Sequence, residues 1–342
     1  MLESVKLAKL VDRLKNKRVL VIGDVMIDEN IKGRTTRISP EAAIPIVLVE
    51  RKEWKLGGAA NVVSNILSLG GQPVCIGVVG KDSMGRKINS LFKENGTECF
   101  LITDGSRPTT TKTRILSKSQ GGYHPIACRI DEENAGPIEG RIAERILKIT
   151  KRVIDKIDCV ILSDYNKGVL NNPLSSSLIQ IANAEGKDVF VDPKPENVNY
   201  FKNCAVITPN KEEAEKISGI KYSVKNLEAI GKAILEKLEP KHVIITCGED
   251  GMFIYGSDGF EHVSTKAIDV NDVTGAGDTV IATLALSAAA GLTIEETTVL
   301  ANYAAAIVIR KVGTATATQK ELKESILNPN RLNGTTDTDN SS

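Results

Sequence analysis

Two glycine-bearing turns in the 342-residue chain open directly into helical patterns, and the later one ends in an acid. In NDVTGAGDTVIATLALSAAAG, residues 271–291, a Gly-Ala-Gly turn precedes a long run of small apolar residues. Glycine lets the backbone approach a ligand closely. The unpaired amides and dipole of a helix start then favour a phosphate, or the charge that develops on a phosphoryl group in transfer. Gly275, Ala276 and Gly277 form this expected cradle. Asp278, in the first helical turn, is expected to be held as an anion by the same dipole, ionised at neutral pH and able to take a hydroxyl proton. A weak carboxylate base suffices, because phosphoryl transfer depends on positioning and charge stabilisation more than on basicity. The same residues would also suit plain packing, with Asp278 an ordinary acid of a helix start.

In the earlier turn, LGGAANVVSNILSLGG (56–71), Gly57 and Gly58 lead into a helix whose buried stripe is Val62, Val63, Ile66 and Leu67. Asn61 offers a donor and an acceptor, which suits a sugar hydroxyl and suits a cap or a packing role about as well. Asp24 and Asp28 close the first strand in VIGDVMID, where carboxylates can hold polyol hydroxyls or stand as exposed turn acids. TPNKEE (208–213) places Asn210 and Glu213 after a short strand; these oxygen donors could orient waters around Mg²⁺, and they also read as a helix start. TCGEDG (246–251), with Thr246, Gly248 and Gly251, would either skirt a nucleotide or close a hairpin.

Positioning such groups requires a scaffold, and the chain alternates short β-branched runs with helical stretches, the pattern of a doubly wound, mostly parallel α/β sheet. Strands are expected at 18–23, 73–80, 158–164, 187–192, 204–209 and 242–248, and helices at 59–69, 82–95, 138–156, 174–185, 224–238, 276–290 and 294–311. Segments 41–50 and 110–118 read as strands without intervening helices, which suggests a small separate sheet acting as a lid. One domain over 1–327 is expected, with the lid drawn from about 29–55 and 107–131; the polar stretch 328–342 is expected to be disordered.

Composition narrows the function. With 44 Lys plus Arg against 43 Asp plus Glu, the net charge of +1 disfavours nucleic acid and anionic membranes as partners. Six widely spaced cysteines form no CxxC or zinc pattern and suit a reducing, cytoplasmic setting. The N-terminal MLESVKLAKLVDRLKNK interleaves charge with apolar residues, as an amphipathic helix does and a secretory signal does not. The most apolar stretch, 273–292, contains Asp278 and three glycines and reads as a buried helix rather than a membrane span.

GGAAN early and DVTGAGD late, in an alternating α/β chain, resemble the two signatures of the PfkB/ribokinase family of carbohydrate kinases over about residues 15–325. That resemblance implies the ribokinase fold with a β-lid, ATP and Mg²⁺, Asp278 as catalytic base and Gly275–Gly277 as the anion hole. Asn210 and Glu213 would be the NxxE element that organises Mg²⁺ through water. Within the family, GDVMIDENIKGRTTRISPEAAIPIVLV, TTTKTRILS, RIDEE, LSDYNKGVL and VDPK resemble the kinase half of bacterial heptose-phosphate kinase/adenylyltransferases. This implies transfer to O1 of D-glycero-β-D-manno-heptose 7-phosphate, giving the 1,7-bisphosphate. Arg37, Lys112, Arg114 and Arg129 would then meet the substrate phosphate, while Asp28, Gly57, Gly58 and Asn61 hold the sugar. Asp164 and Lys167 join the acceptor side; Lys194, Thr246, Gly248, Gly251 and Asn302 join the ATP side. The chain departs from the subgroup at GGYHPIAC, and no nucleotidyltransferase pattern follows residue 330, so a separate adenylyltransferase is expected, as is a homodimer.

Overall fold

The computed structural model describes residues 2–118, 125–257, 259–265 and 270–328. The expectations for GGYHPIAC and for 328–342 therefore fall largely outside the described residues. Two sheets form. The larger has nine strands in the order β13-β12-β11-β10-β9-β8-β1-β4-β5. Its strands are β1 (Arg18–Gly23), β4 (Gln72–Gly80), β5 (Glu98–Asp104), β8 (Cys159–Ser163), β9 (Asp188–Asp192), β10 (Val206–Ile207), β11 (His242–Thr246), β12 (Met252–Gly256) and β13 (Gly259–Val263). All neighbours pair in parallel from β5 to β11, and β12 and β13 add antiparallel at the far edge. Continuous apolar runs such as Val19–Ile22 and Val160–Leu162 are buried because helices cover both faces.

The helices are α1 (Leu2–Leu10), α2 (Ala59–Ser68), α3 (Ser83–Glu94), α4 (Gly140–Val153), α5 (Leu174–Ala184), α6 (Lys211–Ser218), α7 (Leu227–Leu238), α8 (Ala276–Ala289), α9 (Ile294–Val308) and α10 (Gln319–Leu327). They split the core into two layers. One packs α2, α8 and α9 against β1 and β4, and the other packs α4, α5 and α7 against the opposite face. Helix α8 is buried on all sides from Asp278 to Ser287. Its Ala and Thr residues let neighbouring helices and strands come close, which explains its all-round apolarity. No described helix is long and apolar enough to cross a membrane.

The second sheet is β3 (Pro45–Gly58), β2 (Val25–Ile38), β6 (Thr111–Lys118) and β7 (Ile126–Glu132), in that order. The small sheet expected from 41–50 and 110–118 thus exists, but its strands run longer. β2 grows directly out of β1 with only Asp24 between them, and β3 ends at the glycine pair that starts α2. These junctions fasten the lid to the carboxyl edge of the main sheet. β5, β12 and β13 had no separate place in the sequence reading. β5 is only partly buried because it lies at the sheet edge, so its apolar run is short.

Candidate active site

Beside the start of α8 the body opens a cavity of about 390 Å³. It is lined by Gly275, Ala276, Gly277 and Asp278, by Asp192 and Lys194 after β9, by Thr208, Asn210 and Glu213 around the start of α6, and by Tyr165, Thr246 and Gly248. Each comes from the carboxyl end of a strand or the helix after it, where open parallel sheets place ligands. Gly275 caps α8 with φ 80°, and a Cβ there would lie 2.8 Å from the Asn61 amide nitrogen, so this turn needs glycine for both backbone and space.

Asp278 is 3% exposed. Its Oδ2 accepts a hydrogen bond from Asn61 Nδ2 and its Oδ1 one from the Tyr165 hydroxyl, both at 2.7 Å. Burial pushes its pKa up to about 6 against the pull of those two donors. The expected ionisation at neutral pH still follows, yet burial outweighs the helix dipole, which leaves a stronger base than an ordinary aspartate. Asn61 is held in turn. Asn65 Nδ2 donates to the Asn61 carbonyl at 2.9 Å, and Thr279 Oγ1 donates to Asn65 Oδ1 at 2.8 Å. This buried relay ties α2 to α8 and directs one Asn61 N–H to the carboxylate.

Across the cavity, Lys194 Nζ bonds Glu213 Oε1 at 2.5 Å. Burial opposes the Lys194 charge, but Asp192 and Glu213 outweigh it and raise its pKa. Asn210 and Glu213 form the capping box of α6: Asn210 Oδ1 accepts from the Glu212 and Glu213 amides, and Glu213 Oε2 accepts from the Asn210 amide. The helix-start reading of PNKEE is therefore what the geometry realises, within the cavity wall. Asp192 escaped the sequence reading. Burial drives its pKa well above the carboxylate range, Lys194 opposing, and among the described residues its carboxylate accepts no hydrogen bond. Its sequence signals are the acid that closes the apolar run of β9 and its place in VDPK.

The small sheet adds none of the cavity's lining residues and meets it at the Tyr165 ring, through Lys112. Asp28 on β2 pairs with Arg114 on β6, Nη1 to Oδ1 2.5 Å, and the close pass of β3 requires Gly57, whose Cβ would fall 2.7 Å from Asp28 Oδ2. Gly58 caps α2 at φ 55°. Lys112, opposite Asp28 in register, sits 5.6 Å from the centroid of the Tyr165 ring, and burial lowers its pKa against the attraction of Asp28. Arg129 is bound by its own strand neighbour Asp131 at 2.9 Å and 3.0 Å.

Other expected site residues lie outside the cavity lining, and most have structural partners. Asp24 is buried and accepts from the amides of Tyr165, Lys167 and Val169, so it is neither an exposed turn acid nor free for a polyol. Asp164 takes the amides of Asn166 and Lys194 and the side chain of Asn197, with burial raising its pKa to about 6. Lys167 Nζ pairs with Glu133 at 2.8 Å. Asn302 donates to the Ser264 carbonyl at 2.6 Å. Gly251 closes the β11–β12 hairpin, where a Cβ would fall 2.3 Å from the Val263 carbonyl oxygen. Arg37 stands exposed nine residues beyond Asp28 on the same strand, at most roughly 30 Å away at about 3.3 Å per residue, with two register shifts between them. That distance separates it from the Asp28 site within one protomer.

The sequence matches the pfkB family carbohydrate kinase pattern over residues 16–321. The chain belongs to the pfkB family of carbohydrate kinases. It is a sugar kinase, and its large parallel sheet with a smaller separate one is the ribokinase-like fold. Among curated relatives it is similar to the bifunctional protein HldE of Paramagnetospirillum magneticum, 39% identical over 94% of this chain and 66% of that protein. It is also similar to that of Nitratiruptor sp., 41% identical over 90% and 64%. The chain thus spans just under two thirds of these relatives. They are named as bifunctional proteins, which conflicts with the expectation of an adenylyltransferase on a separate chain. Among solved structures, phosphofructokinase-2 from Escherichia coli in complex with potassium superposes with a TM-score of 0.73 at 17% identity, covering 93% of this chain and all of that one. A putative sugar kinase from Clostridium perfringens gives 0.69 at 21%, covering 94% and 97%.

Proposed function

We propose that this pfkB kinase transfers the γ-phosphate of ATP to O1 of D-glycero-β-D-manno-heptose 7-phosphate, yielding the 1,7-bisphosphate and ADP. The observation that carries the transfer is Asp278, buried beside the Gly275–Gly277 turn in the same cavity as Lys194 and Glu213. Asp278 takes the O1 proton as the O1–Pγ bond forms and the bond from Pγ to the bridging oxygen of ADP breaks. The amides at the head of α8 face the charge on the moving phosphoryl group, and Lys194 neutralises charge on the phosphates. The heptose phosphate is supported by the HldE relatives and by the lid cations Lys112, Arg114 and Arg129 beside the acceptor side. Arg114 and Lys112 would exchange part of their pairing with Asp28 for the incoming phosphate.

The donor set fits Mg²⁺. Among the described residues no cluster of three acidic, histidine or cysteine side chains could cage a metal ion. Mg²⁺ needs only one or two carboxylates, because it keeps most of its waters and binds substrate phosphates. Asp192, Asn210 and Glu213 would hold it through those waters, where it supplies charge neutralisation at the phosphates. A cytoplasmic setting, where ATP is available, completes the reading. So does a homodimer through the lid, whose strands expose Ile38, Leu48, Val49 and Ile130. An ADP-release assay over phosphorylated and unphosphorylated sugars tests the proposal. Preference for heptose 7-phosphate supports it, whereas equal rates without the terminal phosphate, or preference for another sugar or a nucleoside, overturn it.

A further inference from the structure

Both oxygens of the Asp278 carboxylate accept hydrogen bonds from the chain, and the two donors come from different elements. Asn61 comes from α2 and is locked by the Asn65–Thr279 relay. Tyr165 comes from the loop after β8, and its ring lines the cavity with the ammonium of Lys112 at 5.6 Å and that of Lys194 at 5.8 Å from its centroid. The loop that carries it is pinned by Asp24, which accepts the amides of residues 165, 167 and 169. We propose that Tyr165 is a positioning residue for the kinase reaction: its hydroxyl, donated to Oδ1, keeps Asp278 deprotonated and aimed at the acceptor. The inference rests on Asp278 being the base.

The electrostatics of the pair agree with that role. Burial and the nearby Asp28 raise the pKa of Asp278, while Asn61, Tyr165 and Lys194 pull it back. Burial and the adjacent Asp278, with Asp192 and Asp28, hold the Tyr165 hydroxyl well above its ordinary pKa, so it stays protonated and remains a donor. The charged groups facing the pair are Asp28 and Lys112 from the lid, and Asp192 and Lys194 from the end of β9. A carboxylate oxygen has two lone pairs, so Oδ1 can keep the tyrosine donor and still receive the acceptor hydroxyl.

Tyr165→Phe retains the ring beside the two lysines and removes only the hydroxyl. Loss of a hydrogen bond to a charged group raises the Asp278 pKa by roughly one pH unit or more. The acid limb of the kcat/KM profile is expected to move from near pH 6 to near pH 7. Activity at pH 6 falls about fivefold, activity at pH 9 stays within about threefold of wild type, and KM for ATP is unchanged. A uniform loss at every pH with an unmoved midpoint overturns the proposal, as does a profile superimposable on wild type. ¹³C-aspartate NMR titration of Asp278 reads the same midpoint without turnover; an unmoved midpoint there also overturns it. Asp278→Asn, assayed alongside, separates the two ideas. If it keeps normal turnover, the base assignment fails and takes the Tyr165 role with it. If it is inactive while Tyr165→Phe behaves as wild type, only the Tyr165 role fails.

Discussion

On the body side of the site, Asp278, Asn61 and Asp24 are 2–3% exposed, and each directs polar atoms to partners elsewhere in the chain. On the lid side, Arg114 pairs with Asp28, Arg129 pairs with Asp131 on an exposed strand, and Lys112 leans on the Tyr165 ring. Under the proposed function, the body would fix the reacting group in advance, with donors that need not reorganise when charge moves. The lid holds its cations in pairs that a bound phosphate can take over. Under the proposed function, the difference separates chemistry from recognition: the buried body residues should govern kcat and the lid residues KM for the acceptor.

The largest expected effect comes from the body. Asp278→Asn lowers kcat by about 10³-fold with KM for ATP within about threefold, measured by ADP release, since a general base contributes about 10² to 10⁴. In the wild type, the Asp278 pKa of about 6 makes kcat/KM rise as pH increases through 6 and level off above 7, because only the carboxylate can accept the proton. Next comes the lid. Arg114→Ala raises KM for the phosphorylated acceptor about thirtyfold, as expected for one charge-assisted hydrogen bond, and leaves kcat within about threefold. It also lowers the thermal unfolding midpoint, because Asp28 is buried and loses its ion pair. Lys194→Ala, on the nucleotide side, raises KM for ATP about tenfold and leaves KM for the sugar unchanged. Arg37→Ala changes every steady-state constant less than about twofold, since the residue stands far out along β2. A large loss of acceptor affinity from Arg37→Ala would show that the lid of a second protomer reaches this site and would break the comparison drawn within one chain.

The body was more legible than the lid for a physical reason. A glycine turn, a helix start and an apolar strand are set by residues close together in the chain, so β1, β8, β9 and the head of α8 follow from local pattern. The lid strands were visible at 41–50 and 110–118, but their full length depends on pairing between β2 and β6, which are far apart in sequence. Tyr165 lies in the loop between β8 and α5. Only packing brings its hydroxyl to an acid 113 positions later. Asn65 and Thr279 read as ordinary helix residues, and Asp192 as the end of a strand, for the same reason.

By itself, the sequence determined the α/β alternation, the cradle Gly275–Gly277 with Asp278 behind it, and the cationic character of β6, because these depend on short-range backbone preference and composition. Tertiary structure alone decided which donors reach the Asp278 carboxylate and that its pKa rises with burial. It also decided that Asp24, Asp164 and Asn302 serve as anchors and that Arg37 stands far from Asp28. Each of those outcomes is a distance between residues remote in sequence, and only the packed chain sets such distances.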